Sequence, residues 1–168
     1  MKQTQLINYF ELQHYDIIDL TETHFSTYHN THTFKQYPTY QAIWTLDNTQ
    51  LHSGTGLLIH KSLSLFIICT SQYLERITTV NLSFKYQKSL HIIVVYLLPN
   101  NLPLNREVSN KTIALINECN NLHLISFIMR DFNVNLEKIY HNIYHNIKLS
   151  SPKFGLLKHL INQGYIDA

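Results

Sequence analysis

The sequence predicts an α/β protein of the α+β type, in which strands outnumber helices. Its apolar residues fall in short runs bounded by turn residues, and several runs follow one another with only a polar turn between them. Strands joined so closely pair antiparallel, because a parallel pair needs a crossover of roughly a dozen residues or more. A purely parallel sheet would also need a helix between nearly every pair of strands. We therefore expect mixed or antiparallel sheets with a few interposed helices.

The first third of the chain is predicted to form one helix and three strands. Apolar residues recur at helical spacing in 3–13, which favours a helix. A short buried strand follows at 16–20 and leads into a polar loop that runs to about residue 33. Residues 40–46 and 55–60 are the next predicted strands, each rich in apolar residues.

The central part of the chain predicts further strands. Residues 63–70 are apolar and β-branched enough for a strand, and 76–84 alternates as a strand with one buried face does. The continuous apolar run 90–98 is typical of a central strand, and Pro99 ends it, since proline cannot donate to a ladder. The remaining predicted elements are a helix at 105–119, a strand at 122–129, a helix at 153–164, and the start of a strand at 165–168.

Composition narrows the class of protein. The chain has 168 residues, of which 45% are hydrophobic and 14% charged, which suits one domain with a sizeable core. No run approaches the ~18 apolar residues of a membrane span, so we expect no membrane partner. Cys69 and Cys119 form neither a disulfide framework nor a zinc spacing, which favours an intracellular protein, cytoplasmic or nuclear. The net charge of +2 does not by itself predict nucleic-acid binding.

Three predicted strands end in polar residues suited to phosphate and metal chemistry. Glu22 follows the strand at 16–20, Tyr96 lies near the end of 90–98, and Asp131 and Asn133 follow 122–129. Open α/β sheets place their sites at the carboxyl ends of strands. An acid and an amide two residues apart in an extended tip share one side of the chain. If these strands are neighbours, we expect their tips to converge.

Four stretches, in order along the chain, resemble the endonuclease/exonuclease/phosphatase superfamily. They are DIIDLTETHF at 16–25, SGTGLLI at 53–59, LHIIVVYLLPN at 90–100 and MRDFNVN at 129–135, and the helical segment 154–168 resembles the one that follows in the family. The resemblance implies a four-layered sandwich of two mixed β-sheets flanked by helices. It also implies Mg²⁺-dependent phosphodiester hydrolysis. The residues of these motifs are most similar to those of retrotransposon-type and apurinic-type nucleases. This similarity implies an endonuclease with DNA as its substrate.

The resemblance implies a role for each tip residue. Glu22 would ligate Mg²⁺ or Mn²⁺, and one carboxylate suffices chemically because Mg²⁺ keeps several of its waters. Asp131 would position or deprotonate the attacking water, and Asn133 would orient that acid or the phosphate. Tyr96 would donate a hydrogen bond to the phosphoryl oxygens as charge develops on them. The structural alternatives are a strand-terminating turn for Asp131 and Asn133, a cap for Glu22, and a half-buried core position for Tyr96.

The sequence departs from the family pattern at three places. Arg130 stands where the family has a glycine before the acid, and it would either crowd the site or contact a phosphate. The family's first strand, which ends in a metal-binding Asn, has no counterpart, and neither do the C-terminal strands with their Asp–His pair. We therefore expect a single domain over 1–168 that is incomplete at both ends. The alternative function is a catalytically inactive remnant or a non-enzymatic binding module, and the oligomeric state is left open.

Histidines offer two less favoured metal sites. His141 and His145 are four residues apart and could bind a metal on a helix, but the glutamate of a metalloprotease motif is missing between them. His24, His29 and His32 share one polar loop, where a zinc site is similarly disfavoured. The strand tips remain the favoured site.

Overall fold

The chain folds into two compact units. The computed structural model describes residues 2–23, 34, 37–45, 54–134, 136–145 and 151–165. The first unit comprises Met1–Tyr96 and Leu124–Arg130, and the second comprises Leu97–His123 and Asp131–Ala168. The single domain over 1–168 stays a prediction.

The first unit begins with a helix and a three-stranded antiparallel sheet. Helix α1 spans Lys2–Leu12, and strands β1, β2 and β3 span Ile17–Thr21, Tyr40–Trp44 and Thr55–His60. The strand order is β1-β3-β2, so β3 is central. Because side chains alternate along a strand, Leu58 packs with Ile7 and Phe10 of α1, whereas Leu57 and Ile59 pack with residues of a second sheet. Strand β3 therefore joins the two cores of this unit.

The second sheet of the first unit has the order β4-β5-β6-β7. A single helical turn, α2, spans Lys61–Ser64, and the strands span Ile67–Tyr73, Ile77–Ser83, Ser89–Tyr96 and Ile125–Asp131, with a 3₁₀ turn at Lys85–Gln87. Strand β5 pairs antiparallel with both β4 and β6. Strand β6 is buried from His91 to Tyr96, as predicted for a central strand, whereas β4 is mostly exposed at the sheet edge. Both faces of β5 are buried from Ile77 to Val80, although its alternation predicted a single buried face.

Three helices form most of the described second unit. They are α3 at Leu102–Asn121, α4 at Leu136–Tyr144 and α5 at Pro152–Asn162. Helix α3 begins at an Asn101 cap, whose side chain accepts a hydrogen bond from the Leu104 backbone N–H. Helices α3 and α5 pack on each other, and each has buried apolar residues, among them Ile116 and Leu156. No described helix has both the length and the apolar character needed to cross a membrane.

The structure confirms the predicted α/β fold class and corrects two strands. The strand predicted at 63–70 begins only at Ile67, because the His60 side chain accepts a hydrogen bond from the Ser62 N–H and starts a helical turn instead. The strand predicted at 122–129 lies at Ile125–Asp131, because α3 continues to Asn121 and His123 adopts a left-handed φ of 53°. Asp131 therefore ends its strand rather than following it.

One segment contains a helix that was not predicted, and two predicted features cannot be compared with the structure. The polar segment after Val134, for which no element was predicted, contains the helix α4. The loop histidines His24, His29 and His32 lie outside the described residues, as does most of the strand predicted at 165–168.

Candidate active site

The first unit brings two of the predicted site residues together. Glu22 directly follows β1, and Tyr96 is the last residue of β6, in the other sheet. The Tyr96 hydroxyl donates a hydrogen bond to Oε1 of Glu22, across 74 residues of sequence. Tyr96 is fully buried, while Glu22 is exposed. The arrangement therefore presents a carboxylate to solvent and holds it with a phenol from the interior.

Backbone pairing places Glu22 at the end of its strand. In the β1–β3 ladder, Leu20 lies opposite Gly56 and Thr21 opposite Thr55. Beyond the ladder, the Thr23 N–H donates to the Gly54 carbonyl at 3.3 Å. Glu22 itself has a left-handed φ of 53°, a conformation that costs energy for a residue with a Cβ. The carboxylate thus projects from a turn that both neighbouring residues constrain.

Arg76 supports Tyr96 from within the first unit, and the sequence analysis missed it. Its guanidinium carbon lies 5.0 Å from the centre of the Tyr96 ring, which is cation–π geometry. The Tyr96 N–H also donates to the Arg76 carbonyl at 2.9 Å. Arg76 is 2% exposed. No sequence pattern signals this burial, because an arginine at the start of a strand is normally solvated.

The second unit contains the other predicted pair, Asp131 and Asn133. The Asn133 N–H donates to Oδ1 of Asp131 at 2.9 Å, and Asn133 has a left-handed φ of 47°. The expectation of an extended tip with acid and amide on one side is therefore wrong, because the chain turns at this point. Between them, Phe132 is buried at 3% exposure and anchors the turn. The turn leaves the Asp131 carboxylate half-buried, with one oxygen oriented by the backbone.

Two contacts attach this turn to the segment that follows β6. The Asn133 side-chain amide donates to the Leu97 carbonyl at 2.8 Å, and the Leu97 N–H donates to the Asp131 carbonyl at 2.9 Å. One residue further on, the Asn105 side chain accepts from the Leu98 N–H at 2.9 Å and donates to its carbonyl at 2.8 Å. Asn133 thus orients Asp131 through its backbone and uses its side chain as a structural tie.

Lys153 is a second buried cation that sequence reasoning missed. Its Nζ donates to the carbonyls of Asn133 and Pro99, both at 3.3 Å, and the residue is 5% exposed. Burial lowers the pKa of Lys153 below its usual value, and the Asp131 carboxylate opposes that change. The sequence shows only a lysine in the first turn of an amphipathic helix, a position that is usually solvated. Lys153 connects α5 to the Asp131 turn.

Arg130, predicted to stand in place of a glycine, has a backbone conformation that does not require one. It is half-buried and lies in β7. Its φ is not positive, so the conformation here does not demand a glycine. Whether it crowds the site or contacts a phosphate stays a prediction.

Glu22 presents the kind of oxygen donor that a magnesium ion takes. An exposed carboxylate oriented through one oxygen, as in Glu22, is the kind of ligand that Mg²⁺ uses together with water. Within the described part of the chain, no three side chains of His, Cys, Asp or Glu cluster as a structural zinc site requires. His141 and His145 do stack on α4, with ring centres 4.3 Å apart, but they lack a third ligand there.

Comparison with known proteins identifies the fold. No protein-family model and no curated protein matches the sequence. Solved structures do match: TDP2 from Caenorhabditis elegans superposes with a TM-score of 0.61 over 80% of this chain at 12% identity. An endonuclease/exonuclease/phosphatase family protein from Bacteroides thetaiotaomicron gives 0.60 over 84% at 10% identity. The fold is that of the endonuclease/exonuclease/phosphatase proteins.

A third match and the coverage define the extent of this likeness. The catalytic domain of human Nocturnin, solved with a bound sulfate, gives a TM-score of 0.58 over 83% of this chain at 13% identity. The chain spans 42% of the TDP2 chain, 57% of the Bacteroides protein and 59% of the Nocturnin domain. The predicted endonuclease/exonuclease/phosphatase fold is therefore confirmed. The match covers a little more than half of the Nocturnin domain and of the Bacteroides protein, and less than half of the TDP2 chain.

Proposed function

We propose that this chain hydrolyses phosphodiester bonds in nucleic acid with the help of a divalent metal ion, and that DNA is its substrate. The observation that carries the proposal is the hydrogen bond from Tyr96 to Glu22, which unites two of the four residues that the family resemblance marks. The endonuclease/exonuclease/phosphatase fold supports the class of reaction. The localisation consistent with such a substrate is nuclear or cytoplasmic.

Glu22 and Tyr96 are proposed to bind the ion and the phosphate. Glu22 would hold Mg²⁺ or Mn²⁺, which when bound supplies positive charge to the phosphoryl oxygens. Tyr96 keeps the carboxylate in one orientation before substrate arrives. Because the phenol has one proton, Tyr96 would give up its hydrogen bond to Glu22 when it donates to a phosphoryl oxygen on which charge develops. Because the phenol is buried, its position is fixed before substrate arrives.

Asp131 and Asn133 are proposed to act on the attacking water. The Asn133 N–H occupies Oδ1 of Asp131, so Oδ2 can accept a hydrogen bond from water. Asp131 would orient that water and take its proton as the oxygen attacks phosphorus. Glu22 and Tyr96 belong to the first unit and Asp131 and Asn133 to the second, and the role of each pair is proposed separately.

Plasmid nicking tests the proposal directly. Purified protein is incubated with supercoiled DNA, with or without abasic sites, in Mg²⁺, Mn²⁺ or EDTA. Asp131→Ala and Glu22→Gln should each lower the nicking rate by roughly 10²–10³, the effect of losing one transition-state interaction. Glu118→Gln removes an exposed carboxylate from α3 and should leave the rate unchanged.

Three results would contradict it. Nicking that survives Asp131→Ala removes this residue from the mechanism, and nicking that survives EDTA removes the metal. DNA binding by folded protein without cleavage under any metal condition would establish the alternative, a non-enzymatic module of the same fold.

A further inference from the structure

The turn between β4 and β5 brings a permanent positive charge to Tyr96. It consists of Leu74, Glu75 and Arg76, and the Arg76 N–H donates to the Tyr73 carbonyl at 3.0 Å. An arginine side chain does not lose its charge by releasing a proton in a protein. Burial of such a charge is unfavourable unless other groups compensate it. The near-complete burial of Arg76 therefore requires specific contacts that hold it in place.

The backbone of this turn is strained. Leu74 and Glu75 have left-handed φ values of 47° and 53°. Such values are unfavourable for residues with a Cβ, and tight turns between strands normally place asparagine or glycine at these positions. Strained backbone persists only where the surrounding structure holds it, and it clusters at functional sites. The strained turn fixes the point at which Arg76 enters β5.

Buried hydroxyl groups pack against the same turn. The Thr45 hydroxyl lies 3.5 Å from the Glu75 carbonyl and 3.0 Å from the Thr55 carbonyl. The Thr55 hydroxyl lies 2.7 Å from the hydroxyl of Thr78, and this contact joins the two sheets of the first unit. All three threonines are buried, and Thr55 belongs to β3, which pairs with the strand before Glu22. The turn is therefore anchored to the sheet that carries Glu22.

Arg76 contacts Tyr96 through its side chain and through its backbone. The guanidinium carbon lies 5.0 Å from the ring centre, and the Tyr96 N–H donates to the Arg76 carbonyl at 2.9 Å. A cation over an aromatic ring is attracted to it, and more strongly where water is excluded. Both residues are buried, so water does not weaken this attraction. The two contacts together fix the position of the ring.

A fixed ring matters because the Tyr96 hydroxyl has one proton and two acceptors. It donates to Oε1 of Glu22 in the structure, and in the proposed reaction it donates to a phosphoryl oxygen instead. We propose that Arg76 is a positioning residue for this exchange, which holds the Tyr96 ring so that only the O–H bond turns from one acceptor to the other. The inference rests on the proposed function for the phosphoryl acceptor alone.

The kinetics of plasmid nicking in Mg²⁺ test the role of Arg76 in the reaction. Arg76→Met removes the charge and keeps an unbranched side chain, and it should lower kcat about tenfold while KM stays within about twofold of the native value. Arg76→Lys keeps the charge without the planar guanidinium and should lower kcat only about threefold. Arg106→Met changes an exposed arginine on α3 and should leave kcat unchanged. Circular dichroism first establishes that each variant is folded.

A double variant separates positioning from a general effect on folding. In a Tyr96→Phe background, Arg76→Met should change kcat by less than about twofold, because the hydroxyl that Arg76 positions is already absent. A further tenfold loss in this background would overturn the proposal. A native kcat in folded Arg76→Met would overturn it as well.

A spectroscopic measurement tests the positioning without any reaction. The tyrosines are replaced by 3-fluorotyrosine, and the fluorine signal that disappears in Tyr96→Phe is assigned to Tyr96. Glu22→Gln should shift this signal, because the hydroxyl loses its charged acceptor. In an Arg76→Met background the same change should shift it less than about half as far.

The two measurements fail in different ways. Equal shifts on Glu22→Gln in both backgrounds would overturn the proposal, because the hydroxyl would then reach Glu22 without Arg76. If the native chain does not nick DNA but the shifts differ as expected, the hydrolytic function is wrong and the positioning of Tyr96 by Arg76 is supported.

Discussion

The two pairs of candidate residues are held in opposite ways. Glu22 follows a strand of one sheet and Tyr96 ends a strand of the other, 74 residues later, and one side-chain hydrogen bond joins them. Asp131 and Asn133 lie two residues apart and are joined through the backbone, with Leu97 and Lys153 as further anchors. The first pair therefore depends on how the cores of the first unit pack. The second pair depends on a local turn and its attachments.

The largest expected effect comes from the support of the second pair. Asn105→Ala removes a buried side chain and leaves both the N–H and the carbonyl of the half-buried Leu98 without their partner. At about 1–3 kcal/mol for each group left unpaired, the free energy of unfolding should fall by about 3 kcal/mol. Urea denaturation measures this, with the exposed Asn110→Ala as the control on the same helix. A loss below about 1 kcal/mol would show that water replaces the two hydrogen bonds between Asn105 and Leu98.

A second substitution disturbs the support of the first pair. In Gly56→Ala the new Cβ would overlap the Trp44 ring, and Gly56 lies opposite Leu20 just before Glu22. Overpacking of this kind should cost about 2 kcal/mol in the free energy of unfolding. Gly155→Ala is the matched control, since it meets no atoms within 4 Å and should stabilise α5 by up to about 1 kcal/mol. Equal stability of the two variants would mean that Trp44 moves aside at no cost.

Removal of a single oxygen sharpens the comparison further. Tyr96→Phe deletes the hydroxyl that donates to Glu22 and should lower the free energy of unfolding by about 1 kcal/mol. In a Glu22→Gln background the same change should cost less, because the charged acceptor is already gone. Tyr86→Phe is the control, since Tyr86 is 92% exposed and should tolerate the loss. Strictly additive effects in the double variant would argue against the bond.

The smallest effect concerns pH and the second pair. Burial places the pKa of Lys153 in the folded protein below its usual value of 10.5, which the unfolded chain retains. Between these two pKa values the unfolded chain holds a proton that the folded protein has released, so the free energy of unfolding rises with pH. Lys153→Met should lack that rise. Denaturation of both proteins across this window up to pH 10.5 measures the difference, and parallel curves would show that Lys153 titrates normally.

Local patterns were enough to predict the strands that carry the site. The apolar run at 90–98 and the abrupt polar ending after Met129 arise from residues adjacent in sequence, and these predictions located Tyr96 and Asp131 at strand ends. Boundaries were less predictable, because a single capping contact such as that of His60 moved the start of β4 to Ile67. The turn at Asp131 was not predicted either, because the same residue types are compatible with an extended strand end and with a turn.

The buried cations were beyond sequence reasoning. Arg76 and Lys153 are 2% and 5% exposed, although arginine and lysine are among the residues least often fully buried. Their burial depends on Tyr96 in one case and on the carbonyls of Asn133 and Pro99 in the other. Those partners are distant in sequence, so no local sequence pattern predicts these contacts.

The left-handed backbone of Glu22 and Asn133 has a practical consequence for protein engineering. Glycine adopts such a φ more cheaply than glutamate does, by about 1 kcal/mol. A library of variants selected only for thermal stability should therefore be enriched in glycine at position 22. The selected variants would lack the carboxylate proposed to bind the metal. Engineering of a more robust version should keep both positions fixed and look for gains elsewhere.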